Sequence, residues 1–215
     1  MNPKEIIARR VAKELKDNDL VNLGIGLPTL VANYIDPSID VYFQSENGLI
    51  GLGPKPSDED IDLYLTNAGG QPVTLKKHGM YFDSLTSFSI IRGGHVDITV
   101  LGALEVDQEG SLASWIIPGK LVPGMGGAMD LVVGAKKVIV ATTHTNKGKP
   151  KIKKHCALPL TAYREVDMIV TELCVLEVID QKLYLKEKHK DVTIEEIIAQ
   201  TEAELIIEDV KEMEV

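Results

Sequence analysis

The chain has 215 residues, 44% of them apolar and 26% charged, a composition that supports one domain with a full core and excludes disorder and collagen-like repeats. The formal charge is −9, and residues 191–215 hold nine acids against Lys211 alone, so an acidic C-terminal segment leaves the remainder nearly neutral and without a basic footprint for nucleic acid. Leu20 to Ile35, the longest uncharged stretch, is broken by Asn22, Gly24, Gly26, Pro28 and Asn33, so no membrane span is expected. The N-terminus lacks the apolar core of a secretory signal, and a cytoplasmic location follows as the expectation.

Pro3 to Lys16 places Ile6, Ile7, Val11 and Leu15 near one face at helical spacing, which predicts an amphipathic helix. Leu20-Val21-Asn22-Leu23 then reads as a buried strand closed by Gly24-Ile25-Gly26, with Pro28 opening a helix through Tyr34. Val41 to Gln44 is the next strand, and Ser45-Glu46-Asn47-Gly48 is the turn after it. Further apolar runs at 61–65, 73–75, 98–104, 138–141, 168–171 and 174–179 predict strands, with helical spacing over 84–92, 129–135 and 194–204. This alternation predicts an α/β domain around a largely parallel sheet. No repeat or linker divides it, and 1–215 reads as one unit.

Seventeen of the 18 glycines lie between Gly24 and Gly134, so backbone that can turn sharply or approach a ligand is concentrated there. Glu46 ends a strand inside a turn followed by Gly48, Gly51 and Gly53. In open α/β sheets ligands arrive beyond the carboxyl ends of strands, where such an acid is placed to react, although the same residues also fit a plain capped turn. Gly24-Ile25-Gly26-Leu27-Pro28 lacks the third glycine of a dinucleotide fingerprint and suits either an anion site or a tight turn. Pro118 to Asp130 is a glycine-rich loop without the GK[ST] ending of a P-loop; amides around Gly126 and Gly127 suit an acyl or pantetheine group, and a long connection is the plainer alternative.

Five lysines between 147 and 154 read as a solvated hairpin, favoured over a phosphate clamp. The five histidines, at 78, 95, 144, 155 and 189, show no metal-binding spacing, and Cys156 and Cys174 form no CxxC pair. No metal is expected.

Asn22-Leu23-Gly24-Ile25-Gly26-Leu27-Pro28, Ser45-Glu46-Asn47-Gly48, Arg92-Gly93-Gly94-His95-Val96-Asp97 and Gly124-Met125-Gly126-Gly127-Ala128-Met129-Asp130 together resemble the beta (B) subunits of family I CoA-transferases, of the 3-oxoacid or butyrate-acetoacetate type. The resemblance implies a three-layer α/β/α open sheet related to the sugar-phosphate isomerases. It also implies a separate alpha (A) subunit in a hetero-oligomer such as A2B2, acyl-CoA and carboxylic acid substrates, and no cofactor, coenzyme A being a substrate. Carried onto this sequence, it makes Glu46 the nucleophile and puts Asn22, Gly24, Gly26, Asn47, Gly48, Gly126 and Gly127 at the substrate. An acyl-CoA hydrolase, which admits water, and a noncatalytic ligand-sensing subunit, which has no need of a carboxylate at Glu46, are the alternatives.

Overall fold

Helix α1 (Pro3–Ala12) begins where the Asn2 side chain accepts the Lys4 amide at 3.0 Å and Pro3 occupies the first turn. Ile6, Ile7, Ala8 and Val11 form its buried face. In chain order there follow β1 (Leu20–Leu23), a 3-10 helix (Leu27–Tyr34), β2 (Tyr42–Ser45), β3 (Leu49–Leu52), β4 (Leu75–Tyr81), α2 (Ser84–Arg92) and β5 (Ile98–Leu101). Next come β6 (Glu105–Asp107), β7 (Leu112–Ala113), α3 (Ala128–Gly134), β8 (Lys137–Ala141), β9 (Thr145–Asn146), β10 (Lys149–Pro150) and β11 (Ile152–Lys153). The chain ends with β12 (Met168–Val170), β13 (Cys174–Ile179), β14 (Lys182–Lys188), α4 (Ile194–Ala199) and β15 (Leu205–Glu212). This computed structural model describes residues 1–122 and 124–215; Pro123, within the glycine-rich loop noted above, lies outside the described residues.

Ten strands form one sheet in the order β15-β14-β13-β12-β8-β5-β1-β2-β3-β4. Its middle, β12-β8-β5-β1-β2, is parallel throughout, while β3, β4, β13 and β14 add antiparallel. The parallel strands carry apolar side chains on both faces, as double coverage requires. Ile98 and Val100 of β5 and Ile139 of β8 join α1 in one cluster. Leu101, Val138 and Val140 join Val132 of α3 in another, and Ile91 of α2 packs with Leu131 of α3. Helices thus cover both faces, which is the expected α/β/α layering.

Several local expectations are corrected. Residues 61–65 form no strand: Asp62 accepts the Tyr64 amide at 2.8 Å to make a turn, and Leu63 and Tyr64 are 82% and 99% exposed. The helix expected from Pro28 through Tyr34 is present and is of the 3-10 type. The acidic segment 191–215 is not a tail. Thr193 and Glu196 form a capping box for α4, and Leu205, Ile206 and Ile207 pair in parallel with β14. The lysine run does make a hairpin, β9 to β10, but Lys153 and Lys154 bond to Glu202 and Glu204 of that acidic segment.

His144, fully buried, ties the same segment to the sheet: Nδ1 meets Thr171 Oγ1 at 3.0 Å and Nε2 meets Thr201 Oγ1 at 2.9 Å. Burial pushes its pKa down from 6.5 to about 4. An unfolded imidazole therefore takes up its proton before the folded one, so the stability held by neutral His144 is complete above about pH 6.5, is lost as pH falls towards 4, and amounts to about 3 kcal/mol. Urea unfolding between pH 7 and pH 4.5 should show this slope in the parent chain and a flatter one in His144→Gln; equal slopes would remove His144 as its source.

Candidate active site

Strand β1 is followed by β2 on one side of it, while its other neighbour, β5, is followed in this sheet by β8 on the opposite side, so the connections diverge between β1 and β5 and a crevice opens at the carboxyl ends of these strands. A cavity of about 970 Å³ occupies that place. Its walls include Asn22 and Gly24 from β1 and its end, Gln44, Ser45 and Glu46 from β2 and its end, residues 101–104 from the end of β5 onward, the stretch 124–128 entering α3, and residues of the 67–73 loop.

Glu46 is half-buried at the first position beyond β2. Asn22, 1% exposed, donates from Nδ2 to Glu46 Oε2 at 3.3 Å and to Gln44 Oε1 at 2.6 Å. The carboxylate's other side is closed by glycine: a Cβ on Gly127 would lie 3.1 Å from Glu46 Cγ, and one on Gly126 would lie 3.8 Å from Oε1. At Gly126 the main chain thus lies at ordinary contact distance, while at Gly127 it passes where a side chain would crowd the acid. Gly24 is equally confined, since a Cβ there would meet Val100 O at 3.1 Å.

The remaining expected residues stand behind this cavity rather than on it. Gly26, at φ 87°, caps the 3-10 helix and is exposed. Asn47 is exposed and donates to Thr66 O at 2.8 Å, bracing the 67–73 loop. Gly48, at φ 121°, allows the turn itself: a Cβ would come within 2.1 Å of Phe82 O. The structure therefore gathers Asn22, Gly24, Glu46, Gly126 and Gly127 around one space, while Gly26, Asn47 and Gly48 shape the turns behind it.

Three further residues escape sequence reasoning. Gln44 and Thr99 flank Asn22 in the sheet, and their only sequence signal is a polar residue inside an apolar strand run. Lys151 belongs by spacing to a solvated hairpin, yet its ammonium donates to Ala103 O at 2.7 Å and Thr142 Oγ1 at 2.5 Å, pinning the loop after β5. Burial lowers its pKa, with the Glu172 charge opposing. The thiols of Cys156 and Cys174 are pushed up to about 12 by burial, which leaves them protonated and poorly nucleophilic.

A strand-end carboxylate with an amide donor on one side and glycine backbone on the other has the chemistry of a nucleophile or a base. A family model described as Coenzyme A transferase matches residues 4–200, and the chain belongs to that family. It is 57% identical over 217 residues to the beta subunit of the acetate CoA-transferase of Haemophilus influenzae, covering 100% of this chain and 97% of that relative. It is 50% identical over 202 residues to one of the subunits of the succinyl-CoA:3-ketoacid coenzyme A transferase of Helicobacter pylori, covering 94% of this chain and 97% of the relative. The fold is similar to that of the crystal structure of an acyl-CoA transferase from Escherichia coli O157:H7, with a TM-score of 0.80 at 24% identity, covering 99% of this chain and 43% of the other. The chain thus spans less than half of that solved chain. Among the described residues, no helix is long and apolar enough to cross a membrane.

Proposed function

We propose that this chain is the nucleophile-bearing half of a CoA-transferase that works with an alpha subunit in an A2B2 assembly in the cytoplasm. Glu46 is the nucleophile, and the observation that carries this is its placement in the cavity between the Asn22 amide and the Gly127 backbone. The ionised carboxylate attacks the thioester carbonyl of acyl-CoA, the C–S bond breaks, and CoA leaves as thiolate from an acyl-glutamyl anhydride. The thiolate then attacks the glutamyl carbonyl. The anhydride C–O bond breaks, the first acid leaves as carboxylate, and CoA stays on Glu46 as a thioester. An incoming carboxylate reverses both steps and departs as its own CoA ester.

Each attack passes through a tetrahedral oxyanion, and this reading assigns its stabilisation to Asn22 Nδ2, which lies 3.3 Å from Glu46 Oε2, and to main-chain N–H groups at Gly127. The reading asks for no metal or redox cofactor. Among substrates it favours a short pair, acetoacetyl-CoA exchanging with acetate or butyrate; the alpha subunit completes the acyl pocket and keeps water from the anhydride. The relatives' names, one for acetate and one for a 3-ketoacid, support that class.

The test is to co-purify the chain with its alpha partner and treat the complex with acetoacetyl-CoA in the absence of acceptor acid. The expected result is the mass of CoA on the peptide containing Ser45-Glu46-Asn47-Gly48, and loss of activity on borohydride treatment only after exposure to acyl-CoA. A label on another peptide would overturn the assignment. Release of free acid and CoA without acceptor, at the rate of transfer, would favour a hydrolase.

A further inference from the structure

Resting on the reading of Glu46 as nucleophile, we infer that Gln44 and Thr99 are positioning residues that keep the Asn22 carboxamide aimed at Glu46 while the glutamate is covalently modified. The strand register sets Gln44, Asn22 and Thr99 side by side across β2, β1 and β5. All three are buried, at 3%, 1% and 0% exposure. Polar side chains in the middle of a doubly covered parallel sheet are tolerated only when their hydrogen bonds are made.

The bonds in this row run in one direction. Gln44 Nε2 donates to Ser87 Oγ on α2 at 3.1 Å, which leaves Gln44 Oε1 to accept from Asn22 Nδ2 at 2.6 Å. Asn22 Nδ2 also approaches Gln44 O and Glu46 Oε2, each at 3.3 Å. Three acceptors on one side fix the NH2 half of the amide there. Two buried side-chain atoms have no partner among the described residues, Asn22 Oδ1 and Thr99 Oγ1. One is an acceptor, the other a hydroxyl that can donate, and they belong to adjacent residues of the row. Parallel strands lie about 4.8 Å apart, within reach of a direct bond after a small rotation or of one bridging water. In this inference the Thr99 hydroxyl turns to donate to Asn22 Oδ1, directly or through that water, and so satisfies both atoms.

This matters because Glu46 changes charge during the cycle. As a carboxylate it draws the amide NH2 towards itself; as anhydride or thioester it is neutral, and that attraction weakens. The oxyanion of the next attack still needs the donor in place. Gln44, seated on Ser87, holds the NH2 half from one side, and Thr99 holds the carbonyl half from the other.

The test uses the complex with the alpha subunit, acetoacetyl-CoA as donor and acetate as acceptor. Thr99→Val retains the shape of the side chain and removes the hydroxyl. It is expected to lower kcat about 10-fold with KM for acetoacetyl-CoA within about twofold, and to slow CoA attachment to Glu46 by the same factor. Thr99→Ser should restore both rates, and Gln44→Met should lower kcat about 100-fold with the same pattern. Thr99→Ala, measured alongside, removes the same hydroxyl in case Val fails to assemble. Parent values of kcat and of the attachment rate in either hydroxyl-free variant overturn the role of Thr99, and so does a fall in Tm with kcat per folded complex unchanged. Parent rates in Gln44→Met overturn the role of Gln44. If the parent complex itself acquires no CoA on Glu46, the nucleophile reading fails and this inference with it; a normal parent adduct beside unchanged variants overturns the positioning alone.

Discussion

Glu46→Gln in the assembled complex should abolish transfer, with kcat lower by on the order of 10⁴-fold or more and no CoA on the Glu46 peptide. The substitution is nearly isosteric, so the cavity and the turn at Gly48 persist; what disappears is an oxygen with the charge to attack a thioester. Glu46→Asp retains the charge but withdraws it by one methylene. Gly127 packs against Glu46 Cγ, so the shorter side chain lies back between the glycine wall and Asn22, and reaching the carbonyl requires main-chain movement. Its rate should fall by about 10²-fold or more with folding intact. Steady-state kinetics, intact mass and the melting curve of the complex together decide this. A Gln variant that gains CoA as the parent does would show that the nucleophile lies elsewhere.

The second large effect is expected at Gly127. Its φ of −84° is open to any L residue, so a side chain there should leave the backbone of the loop in place. The cost is steric: Cβ alone would sit 3.1 Å from Glu46 Cγ and 3.4 Å from its Cβ. Gly127→Val therefore pushes the carboxylate away from Asn22 and narrows the path of the thioester, lowering kcat by about 10²- to 10³-fold while Tm changes little. Gly48→Ala provides the contrast. Its φ of 121° and the 2.1 Å approach to Phe82 O mean that Ala there disturbs the turn itself, so thermal stability and activity should fall together. Parent kinetics in a folded Gly127→Val complex would remove the loop from the site.

The frame of the site is legible in the sequence because its signals are local. Leu20 to Leu23 and Val41 to Gln44 are short apolar runs ended by turn residues, and they fold as β1 and β2 nearly as expected. The acid at Glu46 stands out because it interrupts such a pattern. The roles attached to Asn22 and Gly127 rest on family resemblance, and the structure explains why spacing could not supply them: both reach Glu46 only through sheet register and loop path. Gln44 and Thr99 stay hidden for the same reason, since being neighbours of Asn22 is a property of strand pairing. Elsewhere, composition misleads. The carboxylates of 191–215 mask Leu205-Ile206-Ile207, which form an outer strand, and the apolar letters of Ile61 to Leu65 suggest a strand where Asp62 makes a turn and leaves Leu63 and Tyr64 in solvent.

The interior position of β1 in the sheet also bears on how the site comes into being. Its two neighbours are β2 and β5, and the Leu20 amide is held by Asp97, a residue 77 positions away. Asn22, Glu46 and Gly127 are likewise distant in the chain, so no single segment carries a working fragment of the site. Such long-range pairing slows folding, because loops must close before the contacts that reward closure are made. The Ser45-Glu46-Asn47-Gly48 turn is local, but the carboxylate gains its amide neighbour only through the pairing of β1 with β2 and its glycine wall only when the loop before α3 docks on it.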